Sequence, residues 1–265
     1  MTPGEGQLTG HRRRWQHAWD VLALLVARDL KAQYKRSSLG IGWTLAGPLL
    51  QLVTYTFVFR RVLALQIENY VSFVFIGVLV WGWFQTSLTQ SAGLITSSRP
   101  LVLQPGFPLA LLPHVTVVVR LFHFIVALPF LALLMWTQGI RPARSWLALP
   151  VLILIQYVLT LGLAYPLASL NVSLRDTQHI VGVLLQLMIF VTPVFYSPLV
   201  FPHPWDTLWQ VNPMVGMLQA WRSVLMQGRW PDGGQLTALF LAGCLLLVLG
   251  RKLFVYQSRR FAEEL

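Results

Sequence analysis

Asn171-Val172-Ser173-Leu174-Arg175-Asp176, followed by an uncharged run that closes on Thr192-Pro193-Val194-Phe195-Tyr196, decides the fold. One oppositely charged pair stands between two long apolar runs. A charge in hydrocarbon costs several kcal/mol, so Arg175 and Asp176 belong at a membrane surface, in a turn between two spans. A short charged turn of this kind is where a soluble partner can grip a membrane protein.

The rest of the chain agrees with that setting. Of its 265 residues 55% are hydrophobic and only 11% charged, with a mean hydropathy of +0.61. A soluble domain carries about 25% charged residues. The sequence therefore predicts an all-α polytopic membrane protein. Residues 1–265 form a single membrane domain, because no long polar stretch is available to fold separately. The formal net charge of +11 reads as basic residues that set topology and meet anionic head groups, rather than as a nucleic-acid surface. The single cysteine, Cys244, excludes an intrachain disulfide and a multi-cysteine metal site. The first forty residues lack an apolar core followed by a small-residue cleavage site, so no cleavable signal peptide is expected.

Residues 1–11 read as a disordered tail. From Trp15, the residues Trp19, Leu22, Val26, Leu30 and Tyr34 recur at helical steps, with Asp20, Arg28, Asp29, Lys31 and Lys35 on the other side and Arg12, Arg13 and Arg14 leading in. This predicts an amphipathic helix over 12–36 lying on the membrane surface, the alternative being a helix packed on a soluble partner. Six runs then approach the length of about 20 apolar residues that a membrane helix needs. They are Gly40–Phe59, Val71–Ile95, His114–Trp136, Trp146–Leu170, His179–Tyr196 and Leu236–Gly250, within a core over 37–255 that leads to a tail over 256–265. The last is short and relies on Arg251 and Lys252 to snorkel. With the N-terminus inside, thirteen of the twenty Lys and Arg residues fall on inner segments and six on outer ones, Arg60 and Arg61 going against the trend. The positive-inside rule places both termini in the cytoplasm.

Two connecting segments stand out in this topology. The inner one runs from Ser97-Ser98-Arg99-Pro100 to Phe107-Pro108 and Pro113. Its Pro100 and Pro108 suit the starts of short helices, so a helical elbow under the membrane is expected. The outer one, Ser197 to Gly234, carries Pro198, Pro202, Pro204, Pro213 and Pro231 with Trp205, Trp209, Trp221 and Trp230. Tryptophan favours the interface, so short re-entrant helices before the last span are expected.

The chemistry is sparse. No phosphate-cradling G-x-x-x-x-G-K-[ST] occurs, and no Asp or Glu falls within the six runs, which speaks against both ATP binding by this chain and ion-coupled transport. Arg120 is the one basic residue well inside a run. It reads as snorkelling toward the cytoplasmic surface, with a substrate contact as the alternative. The histidines are scattered and assign no metal. Asp176, Asp206 and Asp232 are the acids a membrane transferase would draw on, but they form no close pair. Aromatic faces stack on sugar rings while Tyr and Trp keep a hydrogen-bonding edge. Trp43, Tyr55, Phe59, Trp81, Trp83, Phe84, Phe195 and Tyr196 are therefore the candidate lining of a sugar-conducting path, against a reading as packing and interfacial belts.

Several motifs together resemble a known family. These are Arg28-Asp29-Leu30-Lys31 with Tyr34-Lys35, Leu39-Gly40-Ile41-Gly42-Trp43 with Pro48-Leu49, and Phe107-Pro108 followed by Leu112-Pro113. Asn171-Val172 with Arg175-Asp176, the Thr192–Tyr196 run, Asn212-Pro213, Trp221-Arg222 and Phe261-Ala262 complete them. In this order and spacing the chain, from about residue 20 onward, is similar to the membrane subunits of ABC exporters for O-antigen polysaccharides and teichoic acids. The resemblance implies a homodimer over two copies of a separate ABC ATPase subunit, which carries the ATP and Mg, with no cofactor on this chain. It implies a polysaccharide cargo on a polyprenyl diphosphate and a place in the bacterial plasma membrane. It also makes Arg28, Asp29, Arg99, Pro100, Phe107, Pro108, Arg175 and Asp176 the elements that couple to the ATPase. The sequence departs from the family at Gln104-Pro105-Gly106, where relatives often carry a basic residue before the Phe-Pro pair. The expected role is a conduit with no catalytic residue. The rivals are the same fold exporting teichoic acid, capsular polysaccharide, lipid or drug, a glycan polymerase or ligase that depends on Asp206 or Asp232, and an ATP-independent channel.

Overall fold

A computed structural model describes residues 5–35, 40–63, 66–197 and 212–264. Every regular element among them is helical: α1 (Glu5–Tyr34), α2 (Trp43–Thr56) running into a π-turn (Phe57–Val62), α3 (Tyr70–Ala92), α4 (Leu94–Ser97), α5 (Arg99–Val102), α6 (Leu111–Thr137), α7 (Leu149–Ser173), α8 (Thr177–Val191), α9 (Pro213–Leu225), α10 (Gly233–Gln257) and α11 (Phe261–Glu264). Among the described residues, five helical segments are long and apolar enough to cross a membrane: Gly40–Val62, Tyr70–Ala92, Leu111–Thr137, Arg144–Ser173 and Gly233–Gln257. Helix α8 is apolar but has only 15 residues.

Helix α3 is the hub. It is apolar over most of its length, and its buried residues cover nearly every turn, which is what a helix surrounded by neighbours requires. Helices α2, α6, α7, α8 and α9 all pack on it. The closest crossing is elsewhere, between α7 and α10, where two backbones meet through small residues. A Cβ on Gly250 would lie 2.5 Å from the carbonyl oxygen of Gly162 and 2.9 Å from Cδ of Pro166. Van der Waals contact at small residues is what holds helices together where lipid competes for apolar surface. Gly250→Leu is therefore expected to destabilise the protein by about 1–3 kcal/mol through overpacking, while Leu245→Ala on an exposed face of the same helix is near neutral. Thermal midpoints in detergent check both, and an unchanged midpoint for Gly250→Leu would remove the crossing as the reason for the glycine.

The helices have two ends. At one lie the C-termini of α3, α7 and α10, the start of α6 and the short α4, α5 and α11. At the other lie the start of α3, the end of α8 and helix α9. Here Tyr70 donates its hydroxyl to the Phe195 carbonyl (2.9 Å) and Ser145 to that of Val224 (2.8 Å). Helix α9 is capped by Asn212, whose Oδ1 accepts from the Met214 amide at 3.0 Å. It then runs deep into the bundle. Trp221 donates its indole N–H to Gln156 (3.0 Å), which donates onward to the Val80 carbonyl (2.9 Å).

Two details differ from the sequence expectation. Helix α1 starts at Glu5, so residues 5–11, read as a tail, continue the amphipathic helix, as expected when an established helix propagates at little cost per residue. The elbow does hold short helices, and Pro100 sits in the first turn of α5. Pro108, however, lies in a turn before α6, where its carbonyl accepts from the Leu111 amide at 2.9 Å. Of the outer proline and tryptophan segment, Pro198, Pro202, Pro204, Trp205, Asp206 and Trp209 lie outside the described residues, as does Arg36.

Candidate coupling face and membrane cavity

The charged turn that organises the sequence is exposed, and it is anchored from behind. Asn171, in the last turn of α7, accepts from the Gln178 amide (3.2 Å) and reaches Thr96 of α4 at 3.5 Å. Thr177 caps the turn by donating its hydroxyl to the Leu174 carbonyl at 2.6 Å. The Gln178 side chain packs over Gly93, at the joint between α3 and α4. Arg175 and Asp176 point away from these contacts, and no ion pair joins them. The turn and the elbow are therefore one surface, built by residues that carry no charge.

The other predicted coupling residues gather at the same end. The apolar stripe of α1 packs on this chain itself: Leu25, with Val21, Leu22, Val26 and Leu30 around it, meets Val115 and Val119 of α6 and Leu101 and Phe107 of the elbow. Trp19, on the same stripe, stays 65% exposed. Arg28 and Asp29 pair with each other at 2.8 Å, the one ion pair among the described residues. Arg99, Pro100 and Pro108 are exposed, while Phe107 is wedged between α1 and the core. The tail joins them. Tyr165, Phe254 and Phe261 stack edge to face in sequence, and Ser173 donates to Glu264 at 3.1 Å.

The candidate channel aromatics fall into two groups. Near the middle of the bundle, a cavity of about 820 Å³ lies between the end of α1, α2, α3 and α6. Trp43, Trp81 and Trp83 line it, but unequally. Trp81 and Trp83 are 1% and 3% exposed, with their indole N–H groups on Gln85 and the Val117 carbonyl, whereas Trp43 is 59% exposed. Phe84 is buried in the core against Trp81. At the far end, Phe195 is packed by Tyr55 (centroids 4.2 Å apart), Phe59 (5.0 Å) and Phe190 (5.8 Å), and Tyr196 donates to the Phe190 carbonyl at 2.7 Å.

Two arginines matter in ways that their positions in the sequence only hinted at. Arg222 is buried on α9, with Nη1 on the Pro193 carbonyl (2.7 Å), Nη2 on that of Val194 (2.8 Å), and its guanidinium 3.4 Å from the centre of the Phe73 ring. The guanidinium, held between two carbonyls and an aromatic face, clamps the Thr192–Tyr196 run. Arg120 faces the cavity, with Nε on Gln90 (2.8 Å) and Nη1 on Nδ1 of His123 (3.2 Å). The signal in the sequence was a polar side chain inside an apolar run, costly unless bonded, and it also marks Gln156 and Gln90. Among the described residues no group of three or more His, Cys, Asp or Glu converges to hold a metal.

Comparison with known proteins places these features in a family. Residues 21–226 match the model of the ABC-2 type transporter family. An O-antigen export system permease protein RfbA of Myxococcus xanthus is 36% identical over 247 residues, covering 92% of this chain and 95% of that one. A protein of the same name from Klebsiella pneumoniae is 30% identical over 250 residues, covering 94% and 96%. With an all-helical bundle, five apolar spans and a matched segment that includes the elbow and the Arg175-Asp176 turn, this chain belongs to the ABC-2 type transporter family, as a multi-pass membrane permease.

Proposed function

We propose that this chain is the conduit subunit of an ATP-driven exporter that moves an O-antigen-type polysaccharide, linked to polyprenyl diphosphate, outward across the bacterial plasma membrane. The relatives' names supply the cargo. The observation that carries the mechanism is the single surface built from the Arg175-Asp176 turn, the elbow and α1. Two copies of the chain stand over two copies of a separate ABC ATPase, which holds ATP and Mg and presses on that surface. Asn171, Gln178 and Thr96 pass the movement to α3, α7 and α8.

In this reading α8 is the sixth crossing. Its 15 residues span roughly 22 Å, and the clamped run after it extends the path. Both termini lie in the cytoplasm and α1 lies at the inner interface. The end of α8 and the start of α10 lie at the same outer side, so α9 enters and leaves from that side as a re-entrant helix. The single permease domain divides into α1, the six-span core and the tail. Helices α2 and α8 expose apolar residues such as Leu50, Val53, Val183 and Leu187, which supports a second copy beside them. The polymerase or ligase rival is disfavoured at Asp232, whose carboxylate is engaged in capping α10 through the Gly234 amide at 2.9 Å; Asp206 lies outside the described residues.

Deleting the chain from its native cell and following the surface glycan tests the conduit. Finished polymer should accumulate inside and vanish from the surface. Polymer that is never completed would transfer the role to an enzyme, and unchanged surface glycan would remove this cargo.

A further inference from the structure

We propose that the cavity beside Arg120 is a binding site for the phosphate-bearing headgroup of a glycolipid, with the phosphoryl oxygens on Arg120 and His123. This rests on the reading of the cargo as lipid-linked, and adds where the anionic junction between lipid and sugar is held.

The electrostatics single out this position. Arg120 lies nine residues beyond Leu111, roughly 14 Å along α6 from the elbow end. A cation at that depth is expensive and is normally paired or functional. Here the pairing is incomplete. Both hydrogen-bond partners are neutral, Nη2 has no partner among the described residues, and no Asp or Glu is among the described residues lining the cavity. Asp29, the carboxylate that acts on Arg120 electrostatically, is held by Arg28 at 2.8 Å. The contrast with Arg222 is direct. There both terminal nitrogens are taken up by carbonyls and a ring covers the face, so the fork of the guanidinium is already occupied from within the chain.

The cavity also suits what adjoins a phosphate in a glycolipid. A guanidinium presents a planar fork matched to phosphoryl oxygens. Gln51, Gln85 and Thr86 line the cavity beside it and offer donors and acceptors for sugar hydroxyls, and the exposed Trp43 ring offers a face for a pyranose. The volume of about 820 Å³ accommodates a diphosphate with one or two sugars. The site stays at this height because Tyr34, at the end of α1, is bonded to Thr44 at 2.8 Å and packs edge-on against His123 with centroids 6.0 Å apart.

The test is equilibrium binding of a radiolabelled polyprenyl-diphosphate monosaccharide to the permease–ATPase complex in nanodiscs of zwitterionic lipid. Wild type should bind saturably. Arg120→Gln should bind about tenfold or more weakly. Gln90→Glu keeps the arginine but gives it a carboxylate partner, and should weaken binding similarly while preserving the fold, so a misfolded Arg120→Gln would not decide the matter alone. Competition separates the sources of phosphate. Displacement by unlabelled glycolipid, with phosphatidylglycerol ineffective at equal concentration, supports a dedicated headgroup site. Equal displacement by phosphatidylglycerol would make the site an ordinary lipid contact, and displacement by inorganic pyrophosphate alone a free-phosphate site; either overturns the proposal. If the deletion strain retains finished polymer inside but Gln90→Glu and a folded Arg120→Gln bind as wild type, the cargo reading stands and this site falls.

Discussion

Arg222→Ala is expected to cost about 3–5 kcal/mol and to lower the thermal midpoint by about 10 °C. The side chain makes two short charge-assisted bonds, to the Pro193 and Val194 carbonyls, and lies on the Phe73 ring. Each hydrogen bond to a charged group contributes about 1.5–3 kcal/mol, and its removal leaves buried carbonyls without a donor. Gly77 shows how closely this packing is built: a Cβ there would meet the Val194 carbonyl at 2.8 Å and Nη2 of Arg222 at 3.0 Å. Arg222→Lys should recover only part of the loss, because one ammonium cannot reproduce a planar fork across successive carbonyls. The variant should also loosen the Phe195 cluster with Tyr55 and Phe59, since the clamped residues carry that ring. Fluorescence-detected thermal unfolding in detergent gives the first quantity, and the accessibility to a thiol reagent of a cysteine placed at Tyr196 gives the second. A wild-type midpoint for Arg222→Ala would mean that the clamp contributes nothing to the fold.

The second large effect belongs to function and not to stability. Replacing both Arg175 and Asp176 by alanine should reduce surface glycan by about tenfold or more while the amount and thermal midpoint of the permease stay unchanged. Both side chains are exposed and bonded to nothing else among the described residues, so their removal disturbs no packing there. At an interface, a few such residues carry most of the binding energy. Asn171→Ala is the informative companion. Asn171 lies behind the turn and holds it to Thr96 and Gln178, so its loss should lower transport per ATP hydrolysed while leaving the ATPase bound. Co-purification of the ATPase with each variant, beside its rate of ATP hydrolysis, separates the two roles. Normal export by the double alanine variant would dismiss the turn as a coupling element.

How far the sequence can be read depends on which physical term dominates. Burial of apolar surface and the cost of a charge in hydrocarbon are local terms that composition and periodicity report directly. They determined the helical, membrane-spanning class, the amphipathic α1, and the exposure of Arg175 and Asp176. They also flagged Arg120 as anomalous, one cation in an apolar run. Motif order and spacing pointed to the transporter family by resemblance, and among those motif residues Gly40 takes a φ of +50°, a backbone that favours glycine.

Only the tertiary structure decided which residues meet. Arg222 looked like another outer basic residue, and nothing nearby in sequence shows that its partners lie 28 and 29 residues earlier. The cavity was equally hidden, since Arg120 and Gln90 come from different helices 30 residues apart. The aromatics divide the same way: composition supplied the population, but helix packing buried Trp81, Trp83 and Phe84 and left Trp43 exposed. The reason is geometric. Periodicity says which side of a helix is apolar, whereas hydrogen bonds and close contacts between helices depend on crossing angles and register set by the whole packed bundle.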